Sequence, residues 1–181
     1  MRLTPLQRRR LANFRANSRA FWSLWVFLAL FLVTLCAEFV ANDRPLVIRF
    51  QDEWRFPVFQ FYSEADFGGE FASEAEYAAP EVRCLIATGG LEACLDDPEG
   101  VGEQAATTGA VDGTPVAQPG WAIWPPIRFS FNTINYDVVS APSPPDRLHW
   151  LGTDDQTRDV VARVIYGFRI SVLFALVVAA I

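Results

Sequence analysis

Residues 21–37 (FWSLWVFLALFLVTLCA) are seventeen consecutive uncharged, mostly apolar positions, and no other feature of the chain constrains its fold as strongly. The run reaches Val40 if Glu38 lies at an interface. Twenty helical residues at about 1.5 Å each cover roughly 30 Å, the thickness of a bilayer's hydrocarbon core. The flanks are unlike: residues 1–20 carry six Arg and no acid, whereas Asp43 and an acidic segment follow the run. The positive-inside rule therefore predicts a cytoplasmic N-terminus, with residue 41 onward outside. Trp22 and Trp25 fall in the first turns, where indoles favour the headgroup level. A cleaved signal peptide fits less well, because the basic leader is long and Leu35 stands three before the cut where a small residue is required. Val33-Thr34-Leu35-Cys36 has the outline of a lipoprotein box, but Leu directly before Cys is the wrong size. A buried helix of a soluble domain would leave the charge asymmetry unexplained.

Charge is segregated along the whole chain. All 15 basic residues are Arg, and residues 41–163 hold twenty acids against eight Arg, so the net charge of −6 conceals two opposed blocks. Without Lys there is no P-loop G-x-x-x-x-G-K-[ST], no Schiff-base lysine and no Ser-Lys pair. The single histidine, His149, excludes multi-His metal sites. The acidic middle lacks the basic patch that nucleic-acid binding needs.

From residue 41 to about residue 143 the composition is that of a loop-rich α+β insert. Residues 45–50 (PLVIRF), 54–62 (WRFPVFQFY) and 121–131 are β-branched and aromatic and read as short strands, the second restricted to an edge or bend by Pro57. Ser73-Glu-Ala-Glu76 has the pattern of a capping box opening a helix to Thr88, which Pro80 would kink and Gly89-Gly90 would stop. Residues 98–118 lack an apolar period and are expected to form a mobile loop. The aromatics Phe50, Trp54, Phe56, Phe59, Phe61, Trp121, Trp124, Phe129 and Phe131 are expected to form the core, a carbohydrate or peptide platform being the alternative. Cys36 lies in the apolar run. Cys84 and Cys94 bracket an eleven-residue segment outside it, and a disulfide between them is expected to contribute about 2–3 kcal/mol.

The densest pattern begins at His149. Thr153 or Asp154 can cap a helix, and Asp154, Asp155 and Asp159 suit its positive end. Val161, Val164 or Ile165, Phe168 and Val172 recur at three-to-four spacing, which suggests a helix lying on the membrane surface before entering it. Gly167 and Ser171 form a small-x-x-x-small pair. Asp154, Arg158, Asp159, Arg163 and Arg169 are expected to form a charge network that locks this helix, with Asp159 and Arg163 as a testable pair. Contact with a partner subunit is the other reading. His149, beside Trp150, is expected to be a packed or interfacial residue and not a ligand or base.

The combination Leu151-Gly152-Thr153-Asp154, Arg158-Asp159, Arg163, Tyr166-Gly167, Arg169 and Ser171 resembles the entry to the transport domain of C-type permease subunits of dipeptide and oligopeptide ABC importers. The insert is similar to the Yej-type branch, which serves microcin C and oligopeptides. The matching stretches are residues 42–49 (NDRPLVIR), 62–69 (YSEADFGG), 124–128 (WPPIR) and 144–147 (PPDR). Thr157 stands where many relatives have Gly, which bears on the local turn.

The resemblance implies a membrane protein, mainly α: a basic cytoplasmic tail (1–20), a first transmembrane helix (21–40), a small periplasmic α+β insert (41–148) and the L-G-T-D motif with an interfacial helix (149–168). The start of a second transmembrane helix (169–181) follows, too short to span by itself, so an N-terminal fragment of a permease is expected. The implied partners are a second permease subunit, cytoplasmic ATPase subunits, a periplasmic solute-binding protein and the lipid bilayer, with no cofactor and no catalytic residue. Two further readings are a single-pass membrane-anchored periplasmic binding or scaffold module, and an external hydrolase using Asp154, Asp155 and Asp159. Acids at a helix N-terminus need no catalytic explanation.

Overall fold

Thr4 and Gln7 cap each other across the first helical turn and Pro5 occupies the first helical position, so the Arg-rich leader folds as helix α1, Pro5–Ala16. The computed structural model describes residues 4–116 and 118–181. Met1, Arg2, Leu3 and Ala117, hence one leader Arg and one position of the expected loop, lie outside the described residues. Asn17 accepts a hydrogen bond from the Ala20 N–H and opens α2, Ser18–Leu35, which is long and apolar enough to cross a bilayer. After a break at Cys36, Ala37–Val40 forms the short helix α3.

The chain divides into two units, residues 1–37 with 164–181, and residues 38–163. In the first, the side chains of α2 are largely exposed, and Phe27 meets Phe168 at 5.6 Å between ring centroids.

The second unit is built on a three-stranded antiparallel sheet. Strand β1 (Val47–Phe50) is central, with β2 (Glu53–Arg55) on one side and residues 121–123 on the other. Gln51 and Asp52 both take left-handed φ, the two-residue hairpin geometry that matches strand twist. Ile48 and Phe50 point inward to a core shared with Phe67, Ala75, Tyr77, Val82, Leu85, Ile86, Val101 and Val111. This core corrects the aromatic list. Phe50 is buried and Trp124 and Phe129 are partly so, but Trp54, Phe56, Phe59, Phe61, Trp121 and Phe131 are exposed. Strand alternation is the reason. Arg49 pairs with both Trp54 and Trp121, so these indoles share the face of the sheet opposite Ile48 and Phe50.

Two helix expectations are also corrected. Ser73 and Glu74 do not open a helix; Glu74 forms a β-bridge with Ser63, and α4 runs Pro80–Thr88. Ala79 is extended (φ −61°, ψ 137°), as a residue before Pro prefers, and this fixes Pro80 as the first helical position. The expected mobile loop is instead α5, Pro98–Thr108, and a hairpin of β3 (Ala110–Val111) and β4 (Thr114–Pro115). Asp97 caps α5 at the Gly100 N–H, Gly109 ends it at φ +65°, and Val101 and the partly buried Ala105 are its few core contacts. So sparse an apolar set leaves no readable period. The remaining edge strand, β5, is Trp121–Ile123.

The Cys84 and Cys94 sulfurs are joined at 2.02 Å, tying α4 to the turn Glu92–Cys94. The residues 62–69 fold as a tight turn: the Asp66 carboxylate accepts from the Ser63 N–H and hydroxyl, and these bonds hold its pKa below the ordinary value. Arg55 donates to the Asp66 carbonyl and lies over the rings of Phe50 and Phe67 at 4.7 and 4.9 Å.

The last helix, α6, spans Val160–Ala180 without interruption. The motif residues before it are turns, so the helix expected to open at Thr153 or Asp154 starts only at Val160, and neither residue is its cap. At about 1.5 Å per residue, its 21 residues reach about 31 Å, long enough to cross a bilayer.

Candidate functional site

The L-G-T-D and R-D residues assemble around the start of α6. Asp159 immediately precedes the helix and its Oδ1 accepts the Ala162 N–H at 2.7 Å, so it is the N-cap, placed where the helix dipole favours negative charge. Its Oδ2 lies 2.9 Å from His149 Nδ1, and both side chains are 1% exposed. On the other edge of the ring, His149 Nε2 is 3.0 Å from the Asn135 amide nitrogen. An amide nitrogen can only donate, so Nε2 accepts, and Nδ1 carries the proton and donates to Asp159. Phe129 stacks on the imidazole at 4.4 Å.

Asp154 forms a second node. Its Oδ1 accepts the backbone N–H groups of Gln156 and Arg158, each at 2.9 Å. Its Oδ2 accepts Arg158 Nε and Nη2, also at 2.9 Å, and pairs with Arg163. Burial works to raise the Asp154 pKa. The hydrogen bonds from the Arg158 and Gln156 backbone and from the Arg158 guanidinium outweigh it and bring the pKa down to about 2. The turn these bonds enclose places Thr157 at φ +59°, a left-handed conformation that is rare for a β-branched residue. Thr157, where the resemblance leads one to expect Gly, thus holds with a threonine a conformation that favours glycine.

A third group of bonds fastens the preceding connector. Thr153 Oγ1 accepts the Ser143 N–H and lies 3.0 Å from the Ser143 hydroxyl, and the Thr153 N–H donates to the Ser143 carbonyl. Gly152 sits at φ +75°, and a Cβ there would lie 2.3 Å from the Ser143 oxygen, so this approach requires glycine. Asp146 accepts the N–H groups of Leu148 and His149; the His149 bond is the main cause of a pKa below its ordinary value.

The structure thus brings together Gly152, Thr153, Asp154, Arg158, Asp159 and Arg163. It divides the expected network: Asp159 pairs with His149 and Arg163 with Asp154, so the expected Asp159–Arg163 pair is not formed. Leu151 is exposed, and Tyr166 is buried with Arg169 over its ring at 4.8 Å. Gly167 and Ser171 are exposed on α6. The role of His149 as cap partner, together with Asn135 and Phe129, is what the sequence reading missed; a lone His ten residues before an Asp carries no local signal for it. Asp154 and Asp159 are both engaged by backbone and side-chain donors of the turn and of α6, which are structural roles. Among the described residues no group of three His, Cys, Asp or Glu could hold a metal.

Comparison with known proteins fits this picture. The chain is 42% identical over 176 residues to the inner membrane ABC transporter permease protein YejE of Escherichia coli, covering 97% of this chain and 43% of that protein. It is 36% identical to the peptidoglycan transport system permease protein YejE of Agrobacterium fabrum, over 96% of this chain and 44% of that one. A shorter match, 38% over 60 residues, is to the oligopeptide transport system permease protein OppC of Bacillus subtilis, covering 32% of this chain and 19% of that one. No family model and no solved structure matches the chain. The chain spans less than half the length of the two YejE proteins. Matched over nearly all of its own length, it is a membrane protein similar to the Yej-type inner-membrane ABC-transporter permeases.

Proposed function

We propose that this chain serves in an inner-membrane permease subunit of an ABC importer for peptides or peptide-like compounds. Separate cytoplasmic ATPase subunits supply the ATP hydrolysis, and a second permease subunit and a periplasmic solute-binding protein complete the assembly. The observation that carries this reading is similarity to YejE over 97% of the chain. A chain without Lys has no P-loop lysine, consistent with energy supplied by another subunit.

In this reading residues 1–20 are cytoplasmic, α2 is the first span, the unit 38–163 is periplasmic and α6 begins the transport domain. The Arg-rich leader and the acidic unit beyond α2 support that orientation. The scaffold alternative requires an amphipathic C-terminal helix. In α6, Val164, Ile170, Leu173, Phe174, Leu176, Val177 and Val178 are all exposed around an apolar helix, which favours a span. The motif cluster then acts as a rigid start for α6, with no part in chemistry.

The test is uptake of a panel of labelled oligopeptides by cells in which the gene is disrupted and then restored. Loss of uptake that returns with the gene supports the proposal. Undiminished uptake of every peptide refutes it. An alkaline phosphatase fusion in the β3–β4 hairpin that is inactive would refute the orientation alone.

A further inference from the structure

Exposed aromatics are concentrated in one uncharged turn of the unit 38–163. Residues 56–63 (FPVFQFYS) carry no charge, in a unit otherwise dense in acids. Phe59 is 73% and Phe61 59% exposed, and Phe56 and Phe39 are also exposed. These are not frayed side chains on a loose loop. Pro57 is fully buried, and the N–H groups of Phe59 and Gln60 both donate to the Phe56 carbonyl at 3.0 and 3.1 Å. The turn therefore satisfies part of its own backbone and presents its rings from a fixed base, as a segment entering a water-poor layer must.

The position of this turn follows from chain arithmetic. Phe39 is two peptide bonds past Ala37, the last residue of the uncharged run, so it lies within about 7.6 Å of that end in any orientation of the unit. Its ring centroid is 5.7 Å from that of Phe59, within the same unit. The headgroup layer on each side of a bilayer is of order 5–8 Å thick. Phe39 is thus tethered within reach of that layer by its own chain, and Phe59 packs against Phe39.

We propose that residues 56–61 are a membrane-surface contact, with Phe56, Phe59 and Phe61 seated in the headgroup and upper acyl region of the bilayer that α2 crosses. The occupant is a lipid surface: the turn offers three uncharged rings and no ionisable group, Gln60 being its one polar side chain. The contact would fix the unit 38–163 against the membrane at a point besides its two covalent connections. This inference rests on α2 being a membrane span.

The test uses the 181-residue chain carrying Cys36→Ser, reconstituted into phosphatidylethanolamine–phosphatidylglycerol vesicles. A nitroxide is placed singly at Gln60→Cys, which keeps all three rings, at Leu28→Cys in α2, and at Glu103→Cys on the exposed face of α5. Collision with oxygen is compared with collision with a water-soluble nickel complex. The proposal expects oxygen to dominate at positions 28 and 60 and nickel at 103. It also expects position 60 to change to nickel when Phe56, Phe59 and Phe61 are replaced together by Ser. Nickel dominance at 60 with oxygen dominance at 28 overturns the proposal alone, as does exclusion of both reagents at 60, the signature of a protein contact. Nickel dominance at 28 overturns the membrane reading itself.

Discussion

Replacing Asp159 by Ala removes two bonds at once, and the structure allows their sizes to be separated. The bond from His149 Nδ1 to the carboxylate lies between side chains each 1% exposed, a class worth about 1.5–3 kcal/mol. The cap to the Ala162 N–H adds about 1 kcal/mol. Asp159→Ala is therefore expected to cost about 2.5–4 kcal/mol in the unit 38–163. Asp159→Asn keeps an oxygen for the cap but turns an amide nitrogen toward the His149 N–H, so it should cost about 1 kcal/mol less than the alanine. His149→Ala leaves a buried carboxylate with only its cap, at about 3–5 kcal/mol. The double variant His149→Ala/Asp159→Ala should be less unstable than the sum of the singles by about 2 kcal/mol, the coupling of the pair. The assay is urea titration of the chain in detergent micelles, read by near-UV circular dichroism of the aromatic residues. Additivity of the two alanine variants within about 0.5 kcal/mol would refute the pairing, because uncoupled sites add to that precision.

Thr157→Gly is expected to stabilise the unit by about 0.5–1 kcal/mol, the left-handed strain on threonine exceeding the entropy cost of glycine; a lower urea midpoint for the variant would contradict it. Replacing Cys84 and Cys94 together by Ser should cost about 3 kcal/mol, the closure entropy of an eleven-residue loop, measured against the oxidised parent. Asp154 has a folded pKa of about 2 against an ordinary 3.8, so its contribution to stability is present above the ordinary value and is lost as pH falls from about 4 through 2. The parent should lose stability over that window, and Asp154→Asn, less stable at neutral pH, should lose less; equal slopes for the two would oppose this assignment.

The parts of this molecule that were legible in its sequence are those with local causes. An apolar run with unlike charge on its flanks states its own environment, and α2 begins and ends within a few positions of it. Cys84 and Cys94 sit on either side of the Gly89-Gly90 stop, close enough in sequence for one turn to bring them together. The illegible parts depend on contacts distant in sequence. Ser73-Glu-Ala-Glu76 has a helix-start pattern, but Glu74 is drawn into a bridge with Ser63, and Pro80 sets the helix start instead. Trp54 and Trp121 look like core residues because both faces of the sheet carry aromatics; only the pairing of each with Arg49 shows that they face outward. Residues 98–118 illustrate the reverse case: Asp97, Pro98 and Gly109 mark a helix by its caps, though too few apolar residues lie between them to give a period.

The motif residues divide the same way, and the division decides how they can be tested. Read along the chain, Asp159 and Arg163 are four apart and look like an i,i+4 pair; in space Asp159 turns back to His149, and Arg163 reaches Asp154, nine residues away. Reversing the charges of Asp159 and Arg163 together would leave His149 facing an arginine and Asp154 facing an aspartate, so no rescue is expected. The pairing present in the structure is Asp154 with Arg163, yet exchanging those two should restore only part of the stability. The Gln156 and Arg158 N–H groups need an acceptor at position 154, and a guanidinium has none to offer. Full rescue by Asp154→Arg/Arg163→Asp in the urea titration would mean that charge alone holds this turn. Partial rescue would mean that Asp154 is fixed first by the backbone it caps, with Arg158 and Arg163 gathered around a carboxylate already in place.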